Sequence, residues 1–279
     1  MHDFLIEPLV RAALLEDIGH GADLTTDAML DPGVRAVGRI VARKPGTIYG
    51  HAPAALAFHI LEPKCNYEII VPDGAHAGAG EAVARIAARA STILTGERTA
   101  LNFLSHLSGI ATATRTLVDL VKGFKAQIVC TRKTTPGLRL LEKAAVVAGG
   151  GRNHRYGLDD AVLIKDNHIA LAGGIAAAVK AVRKRIGHLV KVEVEVDTLE
   201  QLREVLDLPV DVVLLDNMDV QQLREAVALV SGRVITEASG TINAQRVAAI
   251  AESGVDLISS GSITHSAPAL DLGLDIDTQ

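Results

Sequence analysis

From about residue 126 onward, short apolar segments alternate regularly with helical stretches. The apolar segments lie at residues 127–130, 161–164, 190–196, 210–215, 234–235 and 255–258. Apolar residues at three- and four-residue steps mark helices at 175–186, 199–206, 220–230 and 244–253. Continuous apolar strands that alternate with helices predict a parallel sheet covered by helices. Six such units are compatible with a small closed α/β barrel or with an open doubly wound sheet.

The polar residues at the strand ends favour the barrel. Each of the six predicted strands ends in, or carries, charged or small polar residues. In an open sheet, functional residues concentrate at one switch point. In a barrel, every strand contributes to a single mouth. Because all six strands contribute here, we expect a barrel with a site at its mouth.

The first part of the chain has a mixed pattern. Helical spacing predicts helices at 3–17 and 53–61, and alternation predicts strands at 35–42 and 67–71. Two further long helices are predicted at 91–107 and 110–121, with a break near Ser108 and Gly109. The chain is therefore expected to contain two regions of different architecture.

Composition excludes several classes of protein. The 279 residues are 48% hydrophobic and 22% charged, which is typical of a folded globular protein. A net charge of −5 and an aromatic content of 3% argue against nucleic-acid binding. No apolar run is long enough to span a membrane, and the first residues do not resemble a signal peptide. Cys65 and Cys130 lack metal-ligand spacing, so we expect reduced thiols in a cytoplasmic protein rather than a disulfide.

The positive charge is concentrated in one segment. Residues 131–165 contain seven Lys or Arg against three Asp or Glu, a net +4 within an acidic chain. Arg132, Lys133 and Lys165 follow predicted strands, and a glycine-rich loop precedes His154 and Arg155. Such a cluster at a barrel mouth indicates a small polyanionic substrate. The charged residues of the intervening helix are expected to form a solvated face: Arg139, Glu142 and Lys143.

Acidic and small residues complete the predicted mouth. Glu195 and Asp216 lie on adjacent strands, where they can be ion-pair partners or can hold Mg²⁺ or ribose hydroxyls. Glu193 has the same strand parity as Glu195. The turns at residues 239–241 and 260–264 are rich in Gly, Ser and Thr, which allows backbone N–H groups to approach a phosphate. We therefore expect a phosphorylated substrate.

Several motifs along the chain resemble those of the quinolinate phosphoribosyltransferase family. They are Asp23-Leu24-Thr25-Thr26, Gly96-Glu97-Arg98-Thr99-Ala100-Leu101-Asn102, Thr131-Arg132-Lys133-Thr134-Thr135-Pro136-Gly137, Asn153-His154-Arg155, Lys165-Asp166-Asn167-His168, Glu193-Val194-Glu195-Val196 and Leu215-Asp216-Asn217-Met218. The resemblance covers nearly the whole chain in order. It implies an α/β-sandwich N-terminal domain at 1–108, joined by the tail 266–279, and a six-stranded α/β barrel at 109–265.

The resemblance also implies an activity. Quinolinate and 5-phosphoribosyl-1-pyrophosphate would be joined, with Mg²⁺, to give nicotinate mononucleotide, pyrophosphate and CO₂ in NAD synthesis. The family acts as a homodimer with shared sites, so a homodimer or a higher oligomer of dimers is expected. No nucleic-acid or membrane partner is expected.

The resemblance implies roles for individual residues. The expected catalytic residues are Lys133, Lys165, Glu195 and Asp216, the last two also as Mg²⁺ ligands and ribose contacts. The two pyridine carboxylates would be bound by Arg132, His154, Arg155 and Lys165, and by Arg98 of the partner subunit. Lys133 would hold the pyrophosphate. The 5-phosphate would be cradled by Ser239, Gly240, Gly261 and His265.

Two short motifs depart from the family pattern. Thr241 stands where a glycine is expected, and Ser262-Ile263 stands where Ala-Leu is expected. The Thr241 change bears on how closely the backbone approaches a phosphate.

Two alternative hypotheses remain. The first is a related phosphoribosyltransferase that uses nicotinate or another acid. The second is a carrier module, because residues 71–78 resemble a lipoyl-type half barrel and Lys44 is the nearest lysine that could be modified.

The other histidines are expected to be less central. His51, His59, His76, His106 and His188 are interpreted as packing or surface residues, and His168 as a residue behind the site.

Overall fold

The computed structural model describes residues 2–19, 21 and 23–277, which divide into two compact units. The first unit comprises Met1–Arg115, Thr135–Gly150 and Ala267–Gln279, and the second comprises Thr116–Thr134 and Gly151–Ser266. The predicted domain bounds, 1–108 and 109–265, stay predictions. In this division the segment 135–150 groups with the first unit.

The first unit is built on a four-stranded antiparallel sheet flanked by helices. Its elements are α1 (Asp3–Ile18), α2 (Leu24–Met29), β1 (Arg35–Ala42), β2 (Gly46–Thr47), α3 (His51–Leu61), β3 (Asn66–Ile69), β4 (His76–Ala77), β5 (Ala82–Arg89), α4 (Ala90–Leu120, which passes the unit boundary at Arg115), α5 (Arg139–Ala148) and β12 (Leu272–Ile276). The sheet order is β12-β1-β5-β3, and β2 pairs separately with β4. The tail strand β12 thus pairs with β1, as the resemblance implied.

The predicted break between two long helices is wrong, because α4 is one continuous helix. Ser108 is fully buried and its hydroxyl accepts a hydrogen bond from the Tyr49 N–H at 3.0 Å. At Gly109, an added Cβ would lie 2.2 Å from the carbonyl oxygen of Pro268. The Ser-Gly pair therefore allows close packing inside the first unit and does not end the helix.

The predicted solvated face at 139–143 is also wrong. Glu142 and Lys143 have no exposed surface. The Glu142 carboxylate accepts hydrogen bonds from the Thr135 N–H at 3.1 Å and from His106 Nε2 at 2.8 Å. Burial raises the pKa of Glu142, but these hydrogen bonds outweigh burial and hold the pKa below its ordinary value. His106 is therefore a packing residue, as expected, with a buried carboxylate as its partner.

The second unit contains the predicted parallel sheet. Its elements are β6 (Gln127–Val129), β7 (Val162–Ile164), α6 (Asp166–Ala172), α7 (Ile175–Arg183), β8 (Val192–Val196), α8 (Leu199–Leu206), β9 (Val212–Asp216), α9 (Val220–Val230), β10 (Ile235–Ser239), α10 (Val247–Glu252), β11 (Leu257–Ser259) and α11 (Ser262–His265). The hydrogen-bonded order is β6-β11-β10-β9-β8-β7. The predicted α/β class with a six-stranded parallel sheet is confirmed.

At the β6 edge of this sheet, one further residue, Arg152, pairs with the strand. One side of β6 pairs with β11. Arg152 makes an isolated parallel bridge to Val129, with its N–H donating to the carbonyl of Ile128 at 2.8 Å. Among residues 116–134 and 151–266, no ladder joins β6 to β7, so backbone pairing does not close the ring of strands. The Arg152 bridge carries the chain along the edge of β6 directly to His154 and Arg155.

Both cysteines are buried and free. Cys130 packs next to the loop after the bridge, with its Sγ 3.3 Å from Asn153 Oδ1. In the described part of the chain, no helix is long and apolar enough to cross a membrane.

Candidate active site

A cavity of about 840 Å³ opens at the carboxyl ends of the parallel strands, and every residue that lines it belongs to the second unit. Eleven of the twelve site residues that the resemblance implied line this cavity: Arg132, Lys133, His154, Arg155, Lys165, Glu195, Asp216, Ser239, Gly240, Gly261 and His265. Arg98 does not; it is exposed on α4 in the first unit. The expected convergence of strand ends on one mouth is therefore observed, whereas the role of each residue stays a prediction.

Two arginines line the cavity, and each carries a buried Nε that no protein group accepts. The buried Nε atoms of Arg132 and Arg155 have no hydrogen-bond partner. Arg155 Nη1 donates to the carbonyl of Ala161 at 2.9 Å, which anchors one end of its guanidinium. Burial, followed by the like charge of Arg132, lowers the pKa of Arg155 from its ordinary value. Two guanidiniums placed together with unsatisfied donors form a site for a multiply charged anion.

Lys165 and Glu195 form an ion pair across β7 and β8. Lys165 Nζ lies 2.7 Å from Glu195 Oε2, and the Glu195 side chain is 13% exposed. Lys165 is the N-cap residue of α6, and its backbone N–H donates to His168 Nδ1 at 3.0 Å. His168 thus supports the backbone of a cavity cation from behind, as expected. The ion-pair hypothesis for Glu195 holds in this structure.

Asp216 lies at the end of β9, beside a strained turn. Its Oδ2 accepts a hydrogen bond from Asn217 Nδ2 at 2.6 Å. One oxygen of Glu195 and one of Asp216 are thereby engaged within the protein, which leaves a second carboxylate oxygen on each. Two such carboxylates fit the donor set of a Mg²⁺ ion that is shared with substrate phosphates.

Three buried or half-buried groups form a cluster beneath the cations: His154, Glu193 and Glu237. His154 Nε2 lies 2.8 Å from Glu193 Oε2 and 3.7 Å from Glu237 Oε1. Burial, followed by the charge of Glu193, raises the pKa of Glu237 to about 7. We call these three residues the His154 cluster. The shared parity of Glu193 and Glu195 is confirmed, because both side chains contact cavity residues.

The two predicted phosphate turns follow the neighbouring strands β10 and β11, and both line the cavity. A Cβ at Gly240 would lie 2.1 Å from Asn217 Oδ1, so only glycine fits there. Gly261 is packed less tightly, since its added Cβ would lie 2.9 Å from Cδ of the flexible Lys133 side chain. Thr264 Oγ1 donates to the Lys133 carbonyl at 2.7 Å, which ties the last turn to the first strand end. Lys133 is thereby positioned beside the turn at 260–264.

Other lining residues were not among the predicted site residues. Glu237 lies in the buried middle of β10, and a lone acid inside a strand is the signal that points to it. Thr241, Ser260 and Ser262 lie in the two predicted phosphate turns, and Thr131 and Asn217 lie in family motifs. The remaining residues carry no distinctive pattern in the sequence: Leu163, Leu214, Ile242, Asn243 and Ser259.

A parallel α/β sheet with a basic cavity and glycine-rich turns at its strand ends is typical of an enzyme that acts on a small phosphorylated substrate. Comparisons with known proteins define the class further. Residues 23–108 match the model for the quinolinate phosphoribosyl transferase N-terminal domain, and residues 110–275 match the model for the C-terminal domain. The chain therefore belongs to the quinolinate phosphoribosyltransferase family, a family of pentosyltransferases in NAD synthesis.

Individual relatives agree with this assignment. The chain is 44% identical to the carboxylating nicotinate-nucleotide pyrophosphorylase of Mycobacterium leprae, over 96% of this chain and 95% of that protein. It is 41% identical to the chloroplastic enzyme of the same name from Arabidopsis thaliana, over 98% and 83% of the two chains. The structure of the nicotinate-nucleotide pyrophosphorylase from Francisella tularensis superposes with a TM-score of 0.95 at 38% identity, over 99% and 98% of the chains. The family resemblance stated from the motifs is confirmed.

The match also bears on the carrier hypothesis. The segment 71–78 falls within the family's N-terminal domain, where β4 pairs with β2. It is therefore part of that fold and not an added carrier module.

Proposed function

We propose that this chain transfers the phosphoribosyl group of 5-phosphoribosyl-1-pyrophosphate to the nitrogen of quinolinate, with release of pyrophosphate and CO₂. The observation that carries the proposal is the Arg132–Arg155 pair, whose buried Nε donors have no protein partner. A dicarboxylate supplies two charged acceptors for two such cations. Removal of one cation that pairs with a substrate carboxylate is expected to cost roughly 2–5 kcal/mol of binding.

The phosphoribosyl substrate would lie across the turns. Gly240 and Gly261 allow the backbone to approach the 5-phosphate, and Ser239 and His265 lie at the same turns. Lys133 would hold the pyrophosphate, because its backbone is fixed by Thr264 beside Gly261. Under this proposal both substrates would lie in one cavity, with the ribose between the phosphate turns and the arginines.

Glu195 and Asp216 would hold the ribose hydroxyls and a Mg²⁺ ion. Their donor chemistry fits Mg²⁺, which commonly binds one or two carboxylates together with substrate phosphates. When bound, the ion would stabilise the negative charge of the pyrophosphate. Lys165, which pairs with Glu195, would hold that carboxylate in the geometry needed for the ribose.

The chemistry requires alignment and charge stabilisation. The C1–O bond of the ribose breaks and its electron pair leaves with pyrophosphate, while the pyridine nitrogen forms the new bond to C1. The C2 carboxylate then leaves as CO₂, its bonding electrons pass to the cationic ring, and C2 takes up a proton. Lys133 would stabilise the departing pyrophosphate, and the arginines would align the ring.

The test is turnover with two acids. Purified protein is supplied with 5-phosphoribosyl-1-pyrophosphate, Mg²⁺ and either quinolinate or nicotinate, and nicotinate mononucleotide is measured. We expect product from quinolinate and CO₂ release in equal amount. Turnover with nicotinate and none with quinolinate would contradict the proposal and support the related phosphoribosyltransferase. Glu225→Gln, an exposed change on α9, is a control that should keep wild-type activity.

We further propose a homodimer in the cytoplasm, in which Arg98 of the partner subunit completes each site. The support is that Arg98 belongs to a family motif yet is absent from the cavity lining. Arg98→Ala and Lys133→Ala should each be inactive alone. Hybrids of the two variants should regain some activity, since one site of each hybrid escapes both changes. Confirmed hybrids without activity would show that Arg98 does not act across the interface.

A further inference from the structure

Asn217 is the first residue after β9, and its backbone is left-handed. Its φ is +53°, a conformation that L-residues rarely adopt and that asparagine tolerates better than most side chains. The next residue, Met218, is buried, and Asp219 is already the N-cap of α9. Only two residues therefore join the strand to the cap of the helix, and asparagine suits the left-handed position in this short turn.

The side-chain amide of Asn217 lies between a carboxylate and a backbone turn. Its Nδ2 donates a hydrogen bond to Asp216 Oδ2 at 2.6 Å. An ionised carboxylate only accepts, which assigns the amide nitrogen, and not the amide oxygen, to the side of Asp216. The amide oxygen lies 2.1 Å from the position that a Cβ at Gly240 would take. One side chain therefore packs against both the acid at the end of β9 and the turn after β10.

The backbone joins the same two elements. Asp216 and Ser239 are opposite each other in the pairing of β9 with β10. The Asn217 N–H extends this pairing by donating to the Ser239 carbonyl at 3.1 Å. This backbone contact does not depend on the side chain at position 217. The amide can therefore be removed without loss of the hydrogen bond that joins the two strand ends.

The amide contact defines the orientation of the Asp216 carboxylate. The terminal torsion of an aspartate has a broad energy minimum, so a carboxylate without a fixed partner rotates. With Oδ2 engaged by Asn217, the plane of the carboxylate is fixed and Oδ1 is the oxygen left for a ligand in the cavity. A hydrogen bond to a charged group is strong enough to hold this arrangement.

We propose that Asn217 is a positioning residue, which fixes the Asp216 carboxylate against the Gly240 turn and so aligns the ribose of the phosphoribosyl substrate. It acts through Asp216 and does not itself bind the substrate. The role rests on the proposed function, in which Asp216 contacts the ribose and the backbone at Gly240 approaches the 5-phosphate. The family resemblance implied no role for this residue.

Replacement by glycine removes the amide without straining the turn, because glycine adopts the left-handed conformation freely. For Asn217→Gly we expect KM for 5-phosphoribosyl-1-pyrophosphate to rise about tenfold and KM for quinolinate to change less than about threefold. The matched control is Ser231→Gly, since Ser231 has a φ of +49° at the end of α9 and is not among the cavity residues. The control should keep both KM values. Equal rises in both KM values with a fall in Tm would show a structural role and overturn the proposal, and so would unchanged KM values.

Asn217→Asp tests the direction of the hydrogen bond. Aspartate keeps the size of the side chain and tolerates the left-handed backbone, but it places a second carboxylate against Asp216. Like charges at this distance repel, so KM for 5-phosphoribosyl-1-pyrophosphate should rise more than in Asn217→Gly. A smaller rise would contradict the assignment of Nδ2 as the donor.

Direct contact with the substrate is the competing role, because Asn217 also lines the cavity. A double-mutant cycle separates the two roles, with the affinity for 5-phosphoribosyl-1-pyrophosphate and Mg²⁺ measured by calorimetry. If Asn217 acts through Asp216, Asn217→Gly should weaken binding about tenfold in wild type and less than about twofold in Asp216→Ala. The same loss in both backgrounds would show direct contact and overturn the positioning role.

NMR of the ligand-free protein tests the contact itself. With asparagine labelled with ¹⁵N, the side-chain amide signals of Asn217 are assigned by their loss in Asn217→Gly. We expect one amide proton to be shifted downfield by the carboxylate, and this shift to be lost in Asp216→Ala. Unchanged signals in Asp216→Ala would overturn the proposal.

Failure of the proposed function would look different. If wild-type protein neither binds 5-phosphoribosyl-1-pyrophosphate nor turns over quinolinate, the function is wrong, while the amide signals still decide whether Asn217 holds Asp216. If wild type is active and Asn217→Gly behaves as Ser231→Gly does, the function stands and the positioning role is wrong.

Discussion

Replacement of Thr241 by glycine is expected to stabilise the protein, because Thr241 has a left-handed backbone. Its φ is +46°, and it follows Gly240 at φ +94°. A left-handed conformation costs an L-residue about 1–2 kcal/mol, and the cost is greatest for β-branched side chains. Glycine removes this strain, but its greater conformational freedom stabilises the unfolded chain by about 0.4–1 kcal/mol. The net gain in unfolding free energy is therefore about 0.5–1 kcal/mol.

Thermal unfolding of wild type, Thr241→Gly and Thr241→Ala measures the effect. A gain of this size corresponds to a rise in Tm of about 1–4 °C for Thr241→Gly. Thr241→Ala keeps a Cβ in the same conformation, so its Tm should rise less. KM for 5-phosphoribosyl-1-pyrophosphate should change less than about threefold, since the backbone N–H groups of the turn remain. An equal rise in both variants, or a fall with glycine, would refute the assignment of strain to this backbone.

Three further outcomes follow from single contacts. Burial would raise the pKa of Asp211, but hydrogen bonds from Lys191, Arg183 and a backbone amide hold that pKa at about 2. The stabilisation by Asp211 is therefore present above pH 3.8 and is lost as pH falls through 2. Between pH 5 and 2, chemical unfolding should show that the unfolding free energy of wild type falls by about 2 kcal/mol more than that of Asp211→Asn. Gly240→Ala places a Cβ 2.1 Å from an amide oxygen at φ +94° and should lower the unfolding free energy by about 2–3 kcal/mol. Gly109→Ala meets a carbonyl oxygen at 2.2 Å and should destabilise by a similar ~3 kcal/mol in calorimetry, whereas Gly33→Ala, with no heavy atom within 4 Å, should be neutral.

In the second unit, both ends of a helix could be predicted correctly where capping side chains close in sequence determine where the helix begins. The predicted helices 199–206 and 220–230 coincide with α8 and α9. Both begin with a capping box, Thr198 with Gln201 and Asp219 with Gln222, so the start signal lies within four residues of sequence. The prediction succeeds for these two helices because hydrophobic periodicity and capping residues both lie within a short stretch of sequence.

Prediction fails where a residue is used by a distant part of the chain. Gly109 looks like a helix break in sequence, but its small size serves the packing of a tail carbonyl more than a hundred residues away. Glu142 and Lys143 look like a solvated face, yet they are buried, and Glu142 is satisfied by His106 and Thr135. The hydrophobic periodicity of the neighbouring sequence does not reveal the packing of Gly109 or the burial of Glu142 and Lys143.

The candidate site shows the same division. The basic residues at strand ends were predicted because parallel strands bring their carboxyl ends to one edge. Within the basic segment 131–165, Arg139 and Lys143 were assigned to a solvated face and Arg152 was not among the predicted site residues; none of the three lines the cavity. Composition and spacing locate charge along the chain, whereas only the packing of strands decides which charges share a cavity.

The scarcity of aromatic residues bears on how a pyridine dicarboxylate can be selected. Among the described residues, no Phe, Tyr or Trp lines the cavity, and its apolar surface comes from Leu163, Leu214 and Ile242. Aliphatic side chains hold a ring without orienting it, so orientation falls to the carboxylates and to the guanidiniums of Arg132 and Arg155. A monocarboxylate would leave one of these half-buried cations unpaired. Because a charge with a buried, unsatisfied donor is penalised more than a missing apolar contact, discrimination against nicotinate is expected to arise from the unfilled arginine.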